Sequence, residues 1–145
     1  MLVRDIMTYP VKSVRPDATI QAAADMMSHF NVGVLPVCVG DVLVGILTDR
    51  DIVLRCVGLR RLPLETTVTE VMSKHPTTID VEASVEEASR QITINGYRRL
   101  PVTDDGRLVG IVSSDDVARY VNPVLLADMA RHLGLHTHAV ARLTG

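Results

Sequence analysis

The chain has no Trp, a single Phe and three Tyr among its 145 residues. Any core must therefore be aliphatic, built from Val, Leu, Ile, Met and Ala, and 47% hydrophobic residues supply enough of them. No basic excess is present: 15 Lys and Arg face 17 Asp and Glu, a formal charge of −2. That balance argues against a polyanionic partner such as nucleic acid, though one small phosphate ligand needs only local positive charge. No apolar run approaches the ~20 residues of a membrane span, and the first residues show no signal-peptide pattern, so a cytoplasmic protein with no membrane partner is expected. The two cysteines, Cys38 and Cys56, are isolated in the sequence and read as reduced core thiols, with no metal site expected.

What the chain does contain is a copy of itself. Sliding it by 65 residues superimposes Asp5-Ile6-Met7 on Glu70-Val71-Met72 and Leu35-Pro36-Val37 on Leu100-Pro101-Val102. The same offset carries Leu43-Val44-Gly45-Ile46 onto Leu108-Val109-Gly110-Ile111, and Asp51 onto Asp116. A constant offset with matching Gly, Pro and Asp is a repeat signature. It divides the chain into repeat 1 (1–57), a linker (58–67), repeat 2 (68–121) and a helical tail (122–145).

Each copy reads alike. A helical turn (Val3–Met7; Val68–Met72) leads to an extended piece (Ser13-Val14; Thr78-Ile79). An amphipathic helix follows, 18–29 or 83–94; Asp17 or Thr19 can cap the first, and Ser84 with Glu87 has capping-box spacing in the second. Two strands (34–39 and 42–47; 99–103 and 108–112) flank short Gly/Asp turns, a hairpin pattern. A second helix (49–57; 115–121) closes the copy. One copy is too small to bury much surface alone. The expected fold is α/β: two βαββα repeats packed with pseudo-two-fold symmetry, leaving a cleft for each repeat.

The corner between second strand and second helix holds the most chemistry. Gly45-Ile46-Leu47-Thr48-Asp49-Arg50-Asp51 and Gly110-Ile111-Val112-Ser113-Ser114-Asp115-Asp116 share one pattern: Gly, two apolar residues, Thr or Ser, then Asp three residues on. A hydroxyl at a helix start beside free N–H groups can hold a phosphate or sugar oxygen. A carboxylate one turn on can accept ribose hydroxyls. The same residues are also good N-caps, a role that requires no ligand.

The ordered set Val3-Arg4-Asp5-Ile6-Met7-Thr8, Leu35-Pro36-Val37 and the Gly45…Asp51 corner, with its second copy, resembles the CBS (cystathionine beta-synthase) domain. The pair is similar to a Bateman module over nearly residues 1–121. The resemblance implies a regulatory module that binds AMP, ADP, ATP, NAD or S-adenosylmethionine and signals allosterically to a partner protein, with no catalysis. It implies ribose contacts from Asp51 and Asp116, ribose or phosphate contacts from Thr48 and Ser113, and adenine recognition by backbone near Ser13, Val14, Thr78 and Ile79. It further implies ligand contacts along Val34, Leu35 and Pro36, and along Leu100 and Pro101, with a basic residue for phosphate just before Leu-Pro-Val. Repeat 2 supplies Arg98 and Arg99 there; repeat 1 has Gly33 and Val34, with Arg50 as partial compensation. No obligatory cofactor is expected, and a homodimer through exposed apolar helices is.

The tail offers a rival. Residues 126–143 have the apolar, Ala and Gly spacing of a helix-turn-helix, but little charge for phosphate and no third helix. A packing helix with Gly134 as its C-cap accounts for them without DNA. His132, His136 and His138 have no carboxylate or thiolate at a spacing suited to complete a metal site, and a solvated tail is expected. A dimerising scaffold without ligand is the remaining alternative.

Overall fold

The computed structural model describes residues 1–133. The helix-turn-helix-like spacing beyond residue 133, with Gly134, His136 and His138, lies outside the described residues.

In chain order the elements are α1 (Val3–Ile6), α2 (Ile20–Phe30), β1 (Val34–Val39), β2 (Val42–Thr48) and α3 (Asp49–Ile52). Then come α4 (Val68–Val71), β3 (Ser73–Lys74), β4 (Ile79–Asp80), α5 (Val85–Asn95), β5 (Arg99–Asp104), β6 (Arg107–Ser113), α6 (Ser114–Ala118) and α7 (Pro123–Leu133). Two expectations for the closing helices are corrected. The helix expected over 49–57 is α-helical for only four residues and continues as a π-turn, Val53–Val57, which buries Cys56. Its counterpart stops at Ala118 rather than Val121.

The two long helices form as their sequences dictate. Thr19 Oγ1 accepts the Ala22 N–H at 3.0 Å, and Ser84 Oγ accepts that of Glu87 at 3.0 Å, each satisfying one free donor of the first turn. α2 buries Ile20, Ala23 and Met27, and α5 buries Val85, Ala88, Ser89 and Ile92, the spacing of one helical stripe. Asn31 and Gly96, both left-handed, end them.

The chain forms two compact units, and they are not the two sequence repeats. The N-unit comprises Lys12–Pro76 with Gly106–Leu108; the C-unit comprises Met1–Val11, Thr77–Asp105 and the chain from Val109. Each repeat therefore lends its leading helical turn to the unit built on the other. The cores record the exchange. Val68 and Val71 of α4 are fully buried in the N-unit with Ile20, Leu35, Val37 and Leu47. Val3 of α1 is fully buried in the C-unit with Ile92, Leu100, Val102 and Val112. α7 completes the C-unit core with Leu126, Met129 and Leu133.

Within the N-unit β1 and β2 run antiparallel from Val34↔Thr48 to Val39↔Val42, with an irregularity at Val37/Cys38. β3 pairs with β2 through Ile46↔Ser73. In the C-unit Thr8 bridges Ile111 in the same antiparallel sense. The extended pieces also repeat: Val14 pairs in parallel with Val37, and Ile79 with Val102, the 65-residue offset at every partner.

Candidate functional site

Each unit gathers its own set of the residues singled out from sequence. In the N-unit, Thr48 ends β2 and caps α3. Its Oγ1 accepts the Asp51 N–H at 3.0 Å, while Asp51 Oδ2 accepts the Thr48 N–H at 3.0 Å. In the C-unit Ser113 and Asp116 make the same reciprocal pair, both bonds at 3.0 Å. These are full capping boxes, with Asp in the place usually held by Glu. The structure thus realises the capping role of both corners. It leaves Oδ1 of Asp51 and of Asp116 accepting no hydrogen bond among the described residues, on carboxylates that are half-buried rather than sealed.

A second backbone bond fixes each corner to the start of the preceding strand. The Asp49 N–H donates to the Gly33 carbonyl at 2.9 Å, and the Ser114 N–H to the Arg98 carbonyl at 2.8 Å. The residue two before Leu-Pro-Val is thereby held against the first residue of α3 or α6. This brings Gly33 and Val34 to Thr48–Asp51, and Arg98 and Arg99 to Ser113–Asp116.

The extended pieces lie on the other side of β1 and β5. The Val14 N–H donates to the Pro36 carbonyl at 2.9 Å and its carbonyl accepts the Cys38 N–H at 3.0 Å. Both polar groups of Val14 are therefore engaged, and its side chain is buried with those of Leu35 and Pro36. Ser13 is the exposed neighbour with groups to offer. It sits close enough to Cys38 for its hydroxyl to hydrogen-bond the thiol, although burial dominates and pushes the Cys38 thiol up. In the C-unit Ile79, Leu100 and Pro101 are likewise buried, and Thr78 is exposed. The side chains of the Leu-Pro pairs thus serve the core.

Three basic residues were singled out. Arg99, the first residue of β5, is exposed and makes no side-chain hydrogen bond among the described residues, and the same holds for Arg50 in α3. Arg98 is already engaged: its Nη2 donates to the carbonyl of Leu133, the last residue of α7, at 2.7 Å. Sequence reasoning missed this bond because nothing in the spacing of 98 and 133 announces it.

It also missed why the corner begins with glycine. A Cβ on Gly45 would lie 2.6 Å from Met72 Sδ and 3.0 Å from the Ser73 carbonyl. One on Gly110 would lie 2.5 Å from Met7 Sδ and 3.1 Å from the Thr8 carbonyl. Both glycines make room for the leading turn that comes from the other repeat. The signal was present in the sequence as the paired recurrence of Met7/Met72 and Gly45/Gly110.

Among the described residues no group of three His, Cys, Asp or Glu is placed to hold a metal ion, and no helix is long and apolar enough to cross a membrane. His132 lies over its own helix, its Nδ1 2.8 Å from the Asp128 carbonyl.

Comparison with known proteins places this architecture. The CBS domain profile matches residues 3–58 and 68–123. The CBS domain-containing protein YhcV of Bacillus subtilis is 45% identical over 116 residues, covering 80% of this chain and 82% of that protein. Among solved structures, Hypoxic Response Protein I with two coordinated zinc ions is similar at TM-score 0.76 and 36% identity, over 84% of this chain and all of that one. CBSX2 in complex with AMP is similar at TM-score 0.71 and 30% identity, over 81% and 93%. The CBS domain pair of MJ0100, in complex with 5′-methylthioadenosine and S-adenosylmethionine, is similar at TM-score 0.72 and 29% identity, over 82% and 94%. With one profile matched twice, at the two positions the 65-residue offset marks, the chain belongs to the CBS domain family as a tandem CBS pair.

Proposed function

We propose that this protein is a regulatory module that binds an adenine nucleotide, AMP or ATP foremost, and reports it to a partner protein. Each unit carries one site: Ser13, Thr48, Asp51 and Arg50 in the N-unit, and Thr78, Ser113, Asp116, Arg98 and Arg99 in the C-unit. The observation that carries the reading is the duplicated corner. In each, a half-buried Asp uses one carboxylate oxygen to cap a helix and keeps the other for a hydroxyl, on a scaffold whose solved relatives are named with AMP, 5′-methylthioadenosine and S-adenosylmethionine. A ribose presents two adjacent hydroxyl donors, which a carboxylate accepts and a cap does not need. ADP, NAD and S-adenosylmethionine share that ribose. The ligand acts by binding one conformation better than another, so its effect on the partner equals its differential affinity.

We further place the protein in the cytoplasm as a homodimer. Val53, Leu54, Val57, Leu59, Leu62 and Leu64 are each more than half exposed over twelve residues that follow α3, an apolar concentration that a second copy would cover. This patch also supports the scaffold reading, in which the corners are caps alone.

A thermal-shift panel with AMP, ADP, ATP, NAD and S-adenosylmethionine decides between them. A ligand that binds only the native state raises the Tm. The sensor reading requires a shift that Asp51→Ala or Asp116→Ala abolishes. No shift at millimolar ligand leaves the scaffold.

A further inference from the structure

The two sites are built on one plan but differ in charge where a ligand would carry its 5′ substituent. In the N-unit the space above Gly33 is filled by a carboxylate: a Cβ there would lie 2.8 Å from Asp49 Oδ2 and 3.2 Å from its Cγ. At the position of Asp49 the C-unit has Ser114, neutral and buried, whose N–H donates to the Arg98 carbonyl, while the Arg98 guanidinium is turned to the Leu133 carbonyl. Val34 stands where the C-unit has Arg99.

The corner's own groups also occupy the donors that an anion would use. Asp49 Oδ1 accepts the Arg50 N–H at 2.8 Å. The N–H groups of Thr48, Asp49 and Asp51 are taken by Asp51 Oδ2, the Gly33 carbonyl and Thr48 Oγ1. Every backbone donor from 48 to 51 is thus satisfied, two of them by carboxylates, that of Thr48 by Asp51 and that of Arg50 by Asp49. The nearby cations do not reverse this. Arg50 stands between two carboxylates in sequence, and Lys12 lies over the Phe30 ring, its Nζ 5.4 Å from the centroid.

We propose that the N-unit site selects adenosine compounds without a 5′ phosphate, those with a neutral or cationic 5′ group, and that nucleotide phosphates go to the C-unit site alone. This rests on the adenine-nucleotide reading and sharpens it: the two sites of one chain would answer to different ligands. A single like charge at about 4 Å in water weakens binding by about fivefold, and the lack of a counterpart to Arg99 adds to that.

The test is isothermal titration with 5′-methylthioadenosine, S-adenosylmethionine and AMP. Wild type is expected to bind one AMP per chain. Asp116→Ala, which disables the C-unit site, should lose AMP while still binding 5′-methylthioadenosine at one equivalent; Asp116→Asn, which keeps a cap acceptor, serves if the alanine variant does not fold. In either background Asp49→Asn should tighten AMP by about fivefold and leave 5′-methylthioadenosine unchanged. Val34→Arg with Asp49→Ser, which copies Arg99 and Ser114 of the C-unit, should create a second AMP site. The proposal is overturned if the N-unit site takes AMP as tightly as 5′-methylthioadenosine, if Asp49→Asn leaves their ratio unmoved, or if AMP binds wild type but nothing binds the N-unit site. The last of these leaves the nucleotide reading standing on the C-unit. No binding of any adenosine compound to either unit ends both.

Discussion

Gly110 lies against Met7, 103 residues earlier in the chain, so closely that a Cβ on the glycine would come within 2.5 Å of the methionine sulfur. The pair joins the leading turn of repeat 1 to the second strand of repeat 2, and Gly45 with Met72 does the reverse. Gly110→Ala must displace both a flexible sulfur and the Thr8 carbonyl at 3.1 Å. It should cost about 1–3 kcal/mol, the usual penalty of overpacking. Met7→Ala gives the sulfur's space back, so the double variant should lose less than the sum of the single ones in a urea double-mutant cycle. Additive losses would mean that Gly110 is needed for some other reason.

Much of this fold was legible in the repeat. The 65-residue offset located both hairpins and both long helices, and cap chemistry named Ser84 and left Asp17 or Thr19 for the first helix, where the structure uses Thr19, because hydrophobic period and cap chemistry are local properties. The exchange of leading turns was not legible. Val3-Arg4-Asp5-Ile6-Met7 and Val68-Thr69-Glu70-Val71-Met72 present nearly the same apolar face, so either fits either unit and only the path of the chain decides. The π-turn at Val53–Val57 was hidden too, since its composition is that of an ordinary helix. At the site, sequence found the Thr48–Asp51 and Ser113–Asp116 pairs. It did not reveal that Asp49 fills the space above Gly33, because that depends on the angle at which α3 leaves β2.

Arg98 ties the end of α7 to the start of β5. Its 2.7 Å bond to the Leu133 carbonyl places a cation at the negative end of the helix dipole, where it is favourable. Arg98→Ala should cost about 1 kcal/mol, at the low end for a charge-assisted bond because the residue is exposed. Amide exchange should speed up in the last turn of α7 more than in its first, whose Leu125 N–H is held by Asn122 Oδ1 at 3.0 Å. Arg98→Lys should restore part of the protection. Uniform change along α7 would show that the bond does not hold its end.

The corner hydroxyls have a stability role that can be separated from any ligand. Thr48→Ala and Ser113→Ala each remove one cap bond and should cost about 1 kcal/mol by chemical denaturation, whereas Thr48→Ser should be close to neutral. α6 buries Ser114, Val117 and Ala118, while α3 buries nothing. Packing therefore still holds α6 when its cap is lost, and fraying measured by amide exchange should be greater at Asp49–Ile52 than at Ser114–Ala118. Equal fraying would assign α3 a partner that covers it in solution.

Three carboxylates, Asp41 and Glu70 exposed and Glu87 half-buried, contribute to the acid limb of stability. The side-chain hydrogen bond from Arg107 foremost holds Asp41 below its ordinary 3.8. Glu70 lies below its ordinary 4.5 chiefly through the Thr67 backbone N–H, and Glu87 chiefly through the Gln91 side chain and then Arg90. All three values are lower in the folded chain than in the unfolded one. The unfolded state therefore binds protons first as the pH falls, so this stabilisation is complete above about pH 5 and is lost on descending through the folded-state values. Urea midpoints should be flat from pH 7 to about pH 5 and decline below about pH 4.5. Glu70→Gln should lower the midpoint at pH 7 and flatten the decline, since it removes a carboxylate that works only when ionised. A variant whose midpoint tracks wild type down the whole limb would mean that the Thr67–Glu70 box forms equally in the unfolded chain.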